Sequence, residues 1–281
     1  MDQQTVAILH PGEMGSAIGE RLRAKGLRVL WASAGRSAAT RERAARAGLE
    51  DAKTLRDALA ASAIALSVCP PHGALTLARE AAAIRYRGVY VDANAVAPAT
   101  AREVALVIEA AGGTFVDGGI IGPPPRAGTR ARLYLSGRDA GRLAELLSSG
   151  ELVARALEGP IGAASALKAA YAAWNKGAIA LAGAVRAFAA QAGVGDALVA
   201  EWQETQPDAL RRLEQLSGAA RKAWRWTGEM DELAAAFAEA GVPEGFYVAA
   251  GQLYERLASF KDAGAAPSAD AVFAALRTVV R

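Results

Sequence analysis

The side chain best suited to proton transfer in this sequence is Lys168, the one charged residue between positions 163 and 173. Burial among apolar neighbours lowers the pKa of an amine toward neutrality, which general acid or base catalysis requires. Tyr171 and Asn175 follow at i+3 and i+7, on the same face of a helix, where either could orient a substrate or relay a proton. A lysine that extends its charged end into solvent from the start of a helix is the alternative.

A glycine turn follows the first apolar segment and reads His-Pro-Gly-Glu-Met-Gly over residues 10–15. In a dinucleotide-binding turn, one glycine lets the backbone approach the pyrophosphate and another lets the helix pack close to its strand. The N-terminus of that helix supplies amide donors for phosphate. His10 replaces the first glycine of the usual motif, so an ordinary strand–turn–helix is the alternative. The candidate cofactor-binding residues of the turn are Pro11, Gly12, Glu13 and Met14.

The residues that follow the second expected strand indicate which dinucleotide binds. An NAD site carries an acidic residue about 20 residues after the glycines, where it accepts hydrogen bonds from ribose hydroxyls. This sequence lacks an acid there and has Ser33, Arg36 and Ser37 instead. A guanidinium pairs with phosphate through two hydrogen bonds and hydroxyls add others, so this group predicts NADP. A solvated surface arginine is the alternative.

Short apolar segments alternate with helical segments up to about residue 160, which predicts a doubly wound, mostly parallel α/β sheet of the Rossmann type over residues 1–160. In such sheets ligands bind beyond the carboxyl ends of the strands. Cys69, Pro70 and Asn94 follow two apolar segments and are therefore also candidate cofactor-binding residues. The predicted strands are 6–9, 28–31, 64–68, 89–92, 114–117 and 133–136.

The rest of the sequence is helical in character. Residues 163–192 lack proline and are rich in alanine, which predicts one long interdomain helix (161–192) about 45 Å in length. Gly177, Ala180, Gly183 and Ala184 give this helix a flank of small residues that another helix can approach closely. Residues 193–281 are predicted to form an all-helical substrate and dimerisation domain, with helices at 197–204, 209–216, 229–240, 244–260 and 269–280.

Composition excludes several classes of protein. Hydrophobic residues make up 52% of the 281 residues and the net charge is +3, which predicts a packed core rather than a disordered chain. A single cysteine excludes an intrachain disulfide and fits a reducing compartment, so we expect a cytoplasmic protein. We expect no signal peptide and no membrane span. Two scattered histidines predict no metal site, and no basic patch has the aromatic residues that bind single-stranded nucleic acid.

Four segments resemble the β-hydroxyacid dehydrogenase superfamily, which includes 6-phosphogluconate dehydrogenase and 3-hydroxyisobutyrate dehydrogenase. Residues 10–15 resemble its G-L-G-x-M-G turn, and residues 91–98 resemble its D-x-S-T-x-x-P segment. Residues 116–123 resemble its D-A-P-V-S-G-G substrate loop, and residues 162–168 its G-x-G-x-x-x-K segment. The chain looks like a branch whose C-terminal domain is of unknown function. The resemblance implies that Lys168 exchanges a proton with a substrate hydroxyl or carbonyl during hydride transfer.

Three positions depart from that family pattern. Asn94 and Ile121 stand where the family has serine, and Ala172 stands where it has asparagine. Asn94 can still bond a substrate oxygen or the nicotinamide amide, whereas Ile120 and Ile121 make the pocket more apolar. We therefore expect a substrate that is less polar than a small hydroxy acid, or one that is held differently. The candidate substrate-binding residues are Asn94, Ile121, Gly122, Pro123, Trp224 and Arg225.

Trp224 and Arg225 belong to an aromatic cluster at residues 223–230 that could close over a substrate, with Arg225 as an anion clamp. Aromatic core packing with an ion pair is the alternative reading of this cluster.

Three functions fit these observations. The first is NADP-dependent hydride transfer to or from a small hydroxy or keto compound. The second is imine reduction, because imine reductases share this two-domain plan and often replace the catalytic lysine by tyrosine or aspartate. The third is non-catalytic NADP binding. The long apolar helix predicts a homodimer through the C-terminal helices, as in related enzymes, without nucleic-acid or membrane partners.

Overall fold

The computed structural model describes residues 4–261 and 263–277. The chain divides into two compact units, Met1–Ala169 and Ala170–Arg281, and the boundary falls inside one long helix. The first unit holds a sheet with its helices, and the second unit is helical. The predicted fold class, an α/β region followed by an all-α region, is confirmed.

An eight-stranded sheet organises the first unit. Its strands are β1 Thr5–Ile8, β2 Arg28–Trp31, β3 Glu50–Asp51, β4 Ile64–Ser67, β5 Val89–Asp92, β6 Thr114–Ile121, β7 Ala131–Ser136 and β8 Leu152–Ala156. The order across the sheet is β3-β2-β1-β4-β5-β6-β7-β8. Every neighbouring pair is parallel except β6 with β7, which is antiparallel.

Helices connect the strands of this sheet. They are α1 Glu13–Ala24, α2 Ala38–Arg46, α3 Leu55–Ala60, α4 Ala74–Ala83, α5 Pro98–Ala110 and α6 Ala140–Leu147, and α7 Ala163–Gln191 begins in this unit. Apolar clusters lie on both faces of the sheet: Ile8 and Leu66 belong to one cluster, and Ala7 and Tyr90 belong to the other. Neighbouring residues of a strand thus pack on opposite faces, as the two-residue period of a strand requires.

The sequence analysis missed parts of the sheet. Strand β3 has only two residues, both acidic, so no apolar pattern marks it, and β8 was also not predicted. Strand β6 continues to Ile121, four residues past its predicted end. Gly118 and Gly119 lie inside this strand, where neighbouring backbone approaches both of them too closely for a side chain.

Helix α7 confirms the predicted long helix, with 29 residues. In the second unit, its glycines allow other helices to come close. A Cβ atom on Gly177 would lie 2.9 Å from Phe246, and one on Gly183 would lie 2.6 Å from Leu216. The predicted close approach of other helices is therefore confirmed at these two glycines.

The remaining helices of the second unit are α8 Gly195–Thr205, α9 Pro207–Ala219, α10 Trp226–Glu239, α11 Gly245–Arg256 and α12 Ala269–Ala275. Short 3-10 helices at Ala223–Arg225 and Leu257–Phe260 precede and follow the α10–α11 pair. Residues 278–280 of the last predicted helix lie outside the described residues. Within the described part of the chain, no helix has the length and apolar character needed to cross a membrane.

Candidate functional site

The strand order of the first unit changes direction at one point, and we call the edge beyond the carboxyl ends of the strands there the crevice. Strands β2 and β3 lie on one side of β1, whereas β4 and the later strands lie on its other side. Ligands of open α/β sheets bind at such a point, outside the carboxyl ends of the strands. All ten predicted cofactor-binding residues follow β1, β2, β4 or β5 at that edge of the sheet.

The glycine turn after β1 is tightly closed. The amide of Gly12 donates to the carbonyl of His10 at 2.9 Å, and Gly12 precedes α1 without a side chain to cap it. A Cβ atom on Gly15 would lie 2.3 Å from the same carbonyl oxygen, so only glycine fits there. Gly12 therefore adds no side chain of its own at the N-terminus of α1, where backbone amides can bind phosphate.

His10, which replaces the first glycine of the motif, lies in a positive environment. Its ring is close to Gly12, and the Arg36 guanidinium donates to the Leu9 carbonyl at 3.1 Å. Burial lowers the pKa of His10 below 6.5, and the charges of Arg36 and Arg43 lower it further. The imidazole is therefore neutral at pH 7, and the positive charges of Arg36 and Arg43 favour an anionic ligand.

Asp51 is a residue of this edge that sequence reasoning missed, because it comes from the strand next to β2. Burial raises the pKa of Asp51, but hydrogen bonds from the side chain and amide of Lys53 and from the Ser33 hydroxyl outweigh burial and lower the pKa to about 2. Of the predicted NADP group, Ser33 thus bonds to Asp51, and Ser37 caps α2 by accepting from the Thr40 amide.

Asn94 holds two loops together. Its Oδ1 accepts from the Cys69 amide, and its Nδ2 donates to Ser67 at 2.9 Å and to Asp92 at 2.8 Å. The side chain is buried, and both of its amide hydrogens are used inside the protein. Asn94 thus positions the loop after β4, and its predicted bond to substrate or nicotinamide stays a prediction. The neighbouring Cys69 stays a thiol, because burial and then Asp92 raise its pKa to about 12.

A buried polar row crosses four strands at this level of the sheet. The register pairs Ser67 with Asp92, Asp92 with Asp117, and Asp117 with Ser136. All four side chains are buried. Buried carboxylates require hydrogen-bond donors, and Asn94 meets this need for Asp92.

The start of α7 supplies the hydrogen-bond donors that the buried Asp117 carboxylate requires. The Asp117 carboxylate accepts from the Gly162 amide at 3.0 Å, from the Ser165 amide at 3.0 Å and from the Ser165 hydroxyl. Ser136 donates to Asp117 at 2.9 Å and accepts from the Ala164 amide at 3.1 Å. Asp117 and Ser136 together cap α7 and fix its first turn to β6 and β7; sequence reasoning did not assign them this role.

Gly119 brings α7 and β6 together two residues further along the strand. A Cβ atom on Gly119 would lie 2.6 Å from the Ala164 carbonyl and 2.9 Å from the Cβ of Lys168. The Cβ of the half-buried Lys168 therefore lies close to the backbone of β6 at Gly119.

The loop after β6 contains the other predicted substrate residues of the first unit. Ile120 packs in the core of the sheet and Ile121 is also buried; their contribution to an apolar substrate pocket stays a prediction. Gly122 has a φ of +114° and Pro123 is exposed. A Cβ atom on Gly122 would lie 2.6 Å from the Arg130 carbonyl, so this position requires glycine.

The other candidate residues lie in the second unit. Tyr171 is exposed on α7, and Asn175 accepts from Arg212 at 3.4 Å. Trp224 carries two cations on its ring, with Arg225 at 5.4 Å and Lys261 Nζ at 4.3 Å from the centroid. Arg225 and Lys261 thus both lie close to the Trp224 ring, and the role of this cluster toward a substrate stays a prediction.

Lys176 and Glu229 form a largely buried ion pair in the second unit. The ammonium also lies 5.3 Å from the centre of the Trp226 ring, and the Tyr254 hydroxyl donates to the Lys176 carbonyl. Burial raises the pKa of Tyr254 above its usual value of 10, and Glu229 adds to this effect. The cluster joins α7 to α10 and α11.

Replacing Gly119 by alanine should displace the first turns of α7 from β6, because the added methyl meets backbone. We expect Gly119→Ala to lose about 1–3 kcal/mol of unfolding free energy in urea titrations. Gly141→Ala in α6 is the matched control, since its Cβ meets nothing within 4 Å; it should gain about 0.5–1 kcal/mol. Equal stability of the two variants would contradict the close approach.

The pKa of His10 should lie below 6.5 in the free protein and rise when NADP⁺ binds, because phosphate charge offsets the nearby arginines. Titration of the imidazole by NMR measures both values, and His72→Gln assigns the signals, since the chain has only two histidines. The lowered pKa also means that His10 reduces stability as the pH falls below 6.5. An unchanged pKa at saturating NADP⁺ would place the phosphates elsewhere.

Two family models match the chain. The NAD binding domain of 6-phosphogluconate dehydrogenase matches residues 5–146, and a domain of unknown function (DUF1932) matches residues 189–257. An uncharacterized 28.5 kDa protein of Methanothermus fervidus is 29% identical over 196 residues, which cover 69% of this chain and 74% of that protein.

Solved structures share the fold. A conserved protein of unknown function, described as similar to 3-hydroxyacid dehydrogenases, has a TM-score of 0.68 at 28% identity and covers 91% of this chain and 98% of its own. The 3-hydroxyisobutyrate dehydrogenase of Mycobacterium tuberculosis has a TM-score of 0.74 at 17% identity, covering 98% and 100%. A reductive aminase from Aspergillus terreus has a TM-score of 0.55 at 19% identity, covering 98% and 100%. With its first half matched by the family model, the chain belongs to the family defined by the NAD-binding domain of 6-phosphogluconate dehydrogenase.

Proposed function

We propose that this protein is an NADP-dependent oxidoreductase that transfers hydride between the nicotinamide and a small hydroxy or keto compound. The observation that carries this proposal is the placement of Lys168, whose helix is capped by Asp117 and lies against Gly119. Asp117 is level with the last residue of β5 in the sheet register, so the start of α7 lies at the same end of the sheet as the crevice.

The residues of the crevice fit a dinucleotide. Gly15 lets α1 pack against the His10 carbonyl, and Gly12 precedes α1 without a side chain. His10 is neutral, so the positive charge that a phosphate meets at this turn comes from Arg36 and Arg43. These residues would hold the pyrophosphate of the cofactor, which supplies or accepts the hydride when bound.

Lys168 would handle the proton of the reaction at the substrate oxygen. In carbonyl reduction, the carbon gains a hydride and the oxygen gains the proton that Lys168 Nζ held; oxidation reverses both transfers. Tyr171 is the alternative proton donor, because it is exposed one helical turn after Lys168. Asp117 takes part by positioning the helix that carries the amine, since its carboxylate is already bonded four times.

The preference for NADP rests on the charge near β2. Arg36 and Arg43 are both close enough to His10 to lower its pKa. The negative charge of Asp51, beside Ser33, opposes the charges of the two arginines, but Lys53 pairs with the Asp51 carboxylate at 2.9 Å. Two arginines against one paired carboxylate favour the cofactor with the additional phosphate.

Lys168→Met should lower kcat about 10²- to 10⁴-fold, because the side chain keeps its length and loses its proton. The measurement is NADPH oxidation with a panel of keto acids and aldehydes, together with NADPH affinity by fluorescence titration. The affinity should stay within a few-fold of the unsubstituted protein. Lys25→Met is the matched control, since Lys25 lies at the opposite end of α1 from the glycine turn.

Imine reduction is the second candidate, and the apolar residues Ile121 and Ala172 favour it, since both are buried where the resemblance expects polar groups. Here the carbon of the imine gains the hydride and its nitrogen gains the proton. Turnover of cyclic imines that survives Lys168→Met and falls in Tyr171→Phe would support this candidate over the first. NADPH binding without turnover on either panel would favour the non-catalytic reading.

We also propose that the protein forms a homodimer through α7. Trp174, Leu181 and Phe188 are 71%, 51% and 73% exposed and recur every seven residues, so they form one stripe along the helix, the α7 stripe. An apolar groove of about 560 Å³ adjoins it, with Trp202, Phe246 and Tyr247 in its wall. A stripe of this kind can pair with its own copy about a two-fold axis.

Leu181→Glu should convert the dimer into a monomer in sedimentation velocity experiments, because it places a charge at the centre of the α7 stripe. Leu106→Glu is the matched control: Leu106 is an isolated leucine on α5 that is 69% exposed. A monomeric unsubstituted protein, or a dimer that survives Leu181→Glu, would reject this interface.

A further inference from the structure

Three arginines from two elements of the first unit line one cleft. Arg43 and Arg46 come from successive turns of α2, and Arg126 comes from the loop between β6 and β7. The cleft has a volume of about 290 Å³, and Ser16, Ala17, Glu20 and Ala47 form the rest of its wall. We call this feature the arginine cleft; it lies beside α1, whose N-terminus faces the crevice.

The guanidinium groups of the cleft have unused hydrogen-bond donors. Arg43 Nη2 donates to the Thr40 hydroxyl at 3.1 Å, whereas Arg43 Nε is buried and has no acceptor among the described residues. Within the described part of the chain, Arg126 makes hydrogen bonds only through its backbone, so its guanidinium is available. Buried donors are nearly always paired in folded proteins, so the free Nε of Arg43 calls for an acceptor from a ligand.

The cleft keeps a positive charge after its acidic neighbours are counted. Glu20 lines the wall, but its carboxylate pairs with Arg21 at 3.1 Å. Arg46 pairs with Glu42 in an exposed i,i+4 contact, which is weak in water. Among the described residues, Arg43 and Arg126 thus remain without an acidic partner.

We propose that the arginine cleft binds a phosphomonoester dianion. Guanidinium groups bind phosphate in a bidentate manner, and groups from two helical turns and a loop can surround its oxygens. The small residues Ala17 and Ala47 leave space for the group that carries the phosphate. The dianion is either the 2′-phosphate of bound NADP, which rests on the proposed function, or the phosphate of a separate ligand.

The test measures binding to the full-length protein by isothermal titration calorimetry at fixed ionic strength, with inorganic phosphate, NADP⁺ and NAD⁺ as probes. Arg126→Gln should weaken phosphate binding roughly tenfold, because it removes charge-assisted hydrogen bonds. Arg126 lies on an exposed loop, so this variant should fold normally. Arg43→Gln is the second variant, and Arg79→Gln, exposed on α4, is the matched control that should bind as the unsubstituted protein does.

The two sources give different results. If the cleft takes the cofactor phosphate, both variants lose affinity for NADP⁺ and keep their affinity for NAD⁺. If it takes a separate ligand, phosphate binding weakens while both dinucleotides bind as before, and phosphate still binds when NADP⁺ is saturating. Unchanged binding of phosphate and of both dinucleotides overturns the proposal. Because the readout is binding, failure of hydride transfer would leave this result standing.

Discussion

The buried carboxylate of Asp117 is the interaction on which the arrangement of the first unit depends. An ionised group without solvent is costly unless donors surround it, and the start of a helix has amide groups without intrahelical acceptors. Asp117 and α7 solve both problems together, since amides of Gly162 and Ser165 point at the same carboxylate oxygen. The position at which α7 begins is therefore set by Asp117 of β6 rather than by the helix propensity of the α7 residues.

Two further features follow from this cap. The helix can come close to β6 only because Gly119 has no side chain, and Gly118 gives the same freedom toward the Asp92 carbonyl, 2.8 Å from a Cβ built there. The polar row also places Asp92 and Asp117 in register on neighbouring strands, so each carboxylate needs its own donors. Asn94 supplies donors to Asp92 through its backbone amide and its side-chain amide.

The sequence predicted features that depend on local patterns and missed those that depend on distant partners. The apolar runs of β4 and β5, the glycine turn and the long helix α7 each carry their own signal. In contrast, β3 forms because Leu30 and Trp31 offer it a paired neighbour, and no pattern in Glu50-Asp51 announces this. The roles of Asp117 and Asn94 depend on residues 48 and 25 positions away, so spacing along the chain could not reveal them.

The balance of charge at the end of β2 shows why motif reading alone is insufficient for cofactor preference. The acid expected for NAD is missing from the chain position where the motif places it, yet Asp51 brings a carboxylate to Ser33 from the adjacent strand. Its pKa of about 2 means that it stays charged at any physiological pH. Arg36, meanwhile, uses part of its guanidinium to hold the Leu9 carbonyl. Lys53 only partly neutralises this carboxylate, since an exposed lysine pair is screened by water. Preference for a 2′-phosphate therefore rests on the remaining donors of Arg36 and Arg43, which must outweigh the charge of Asp51.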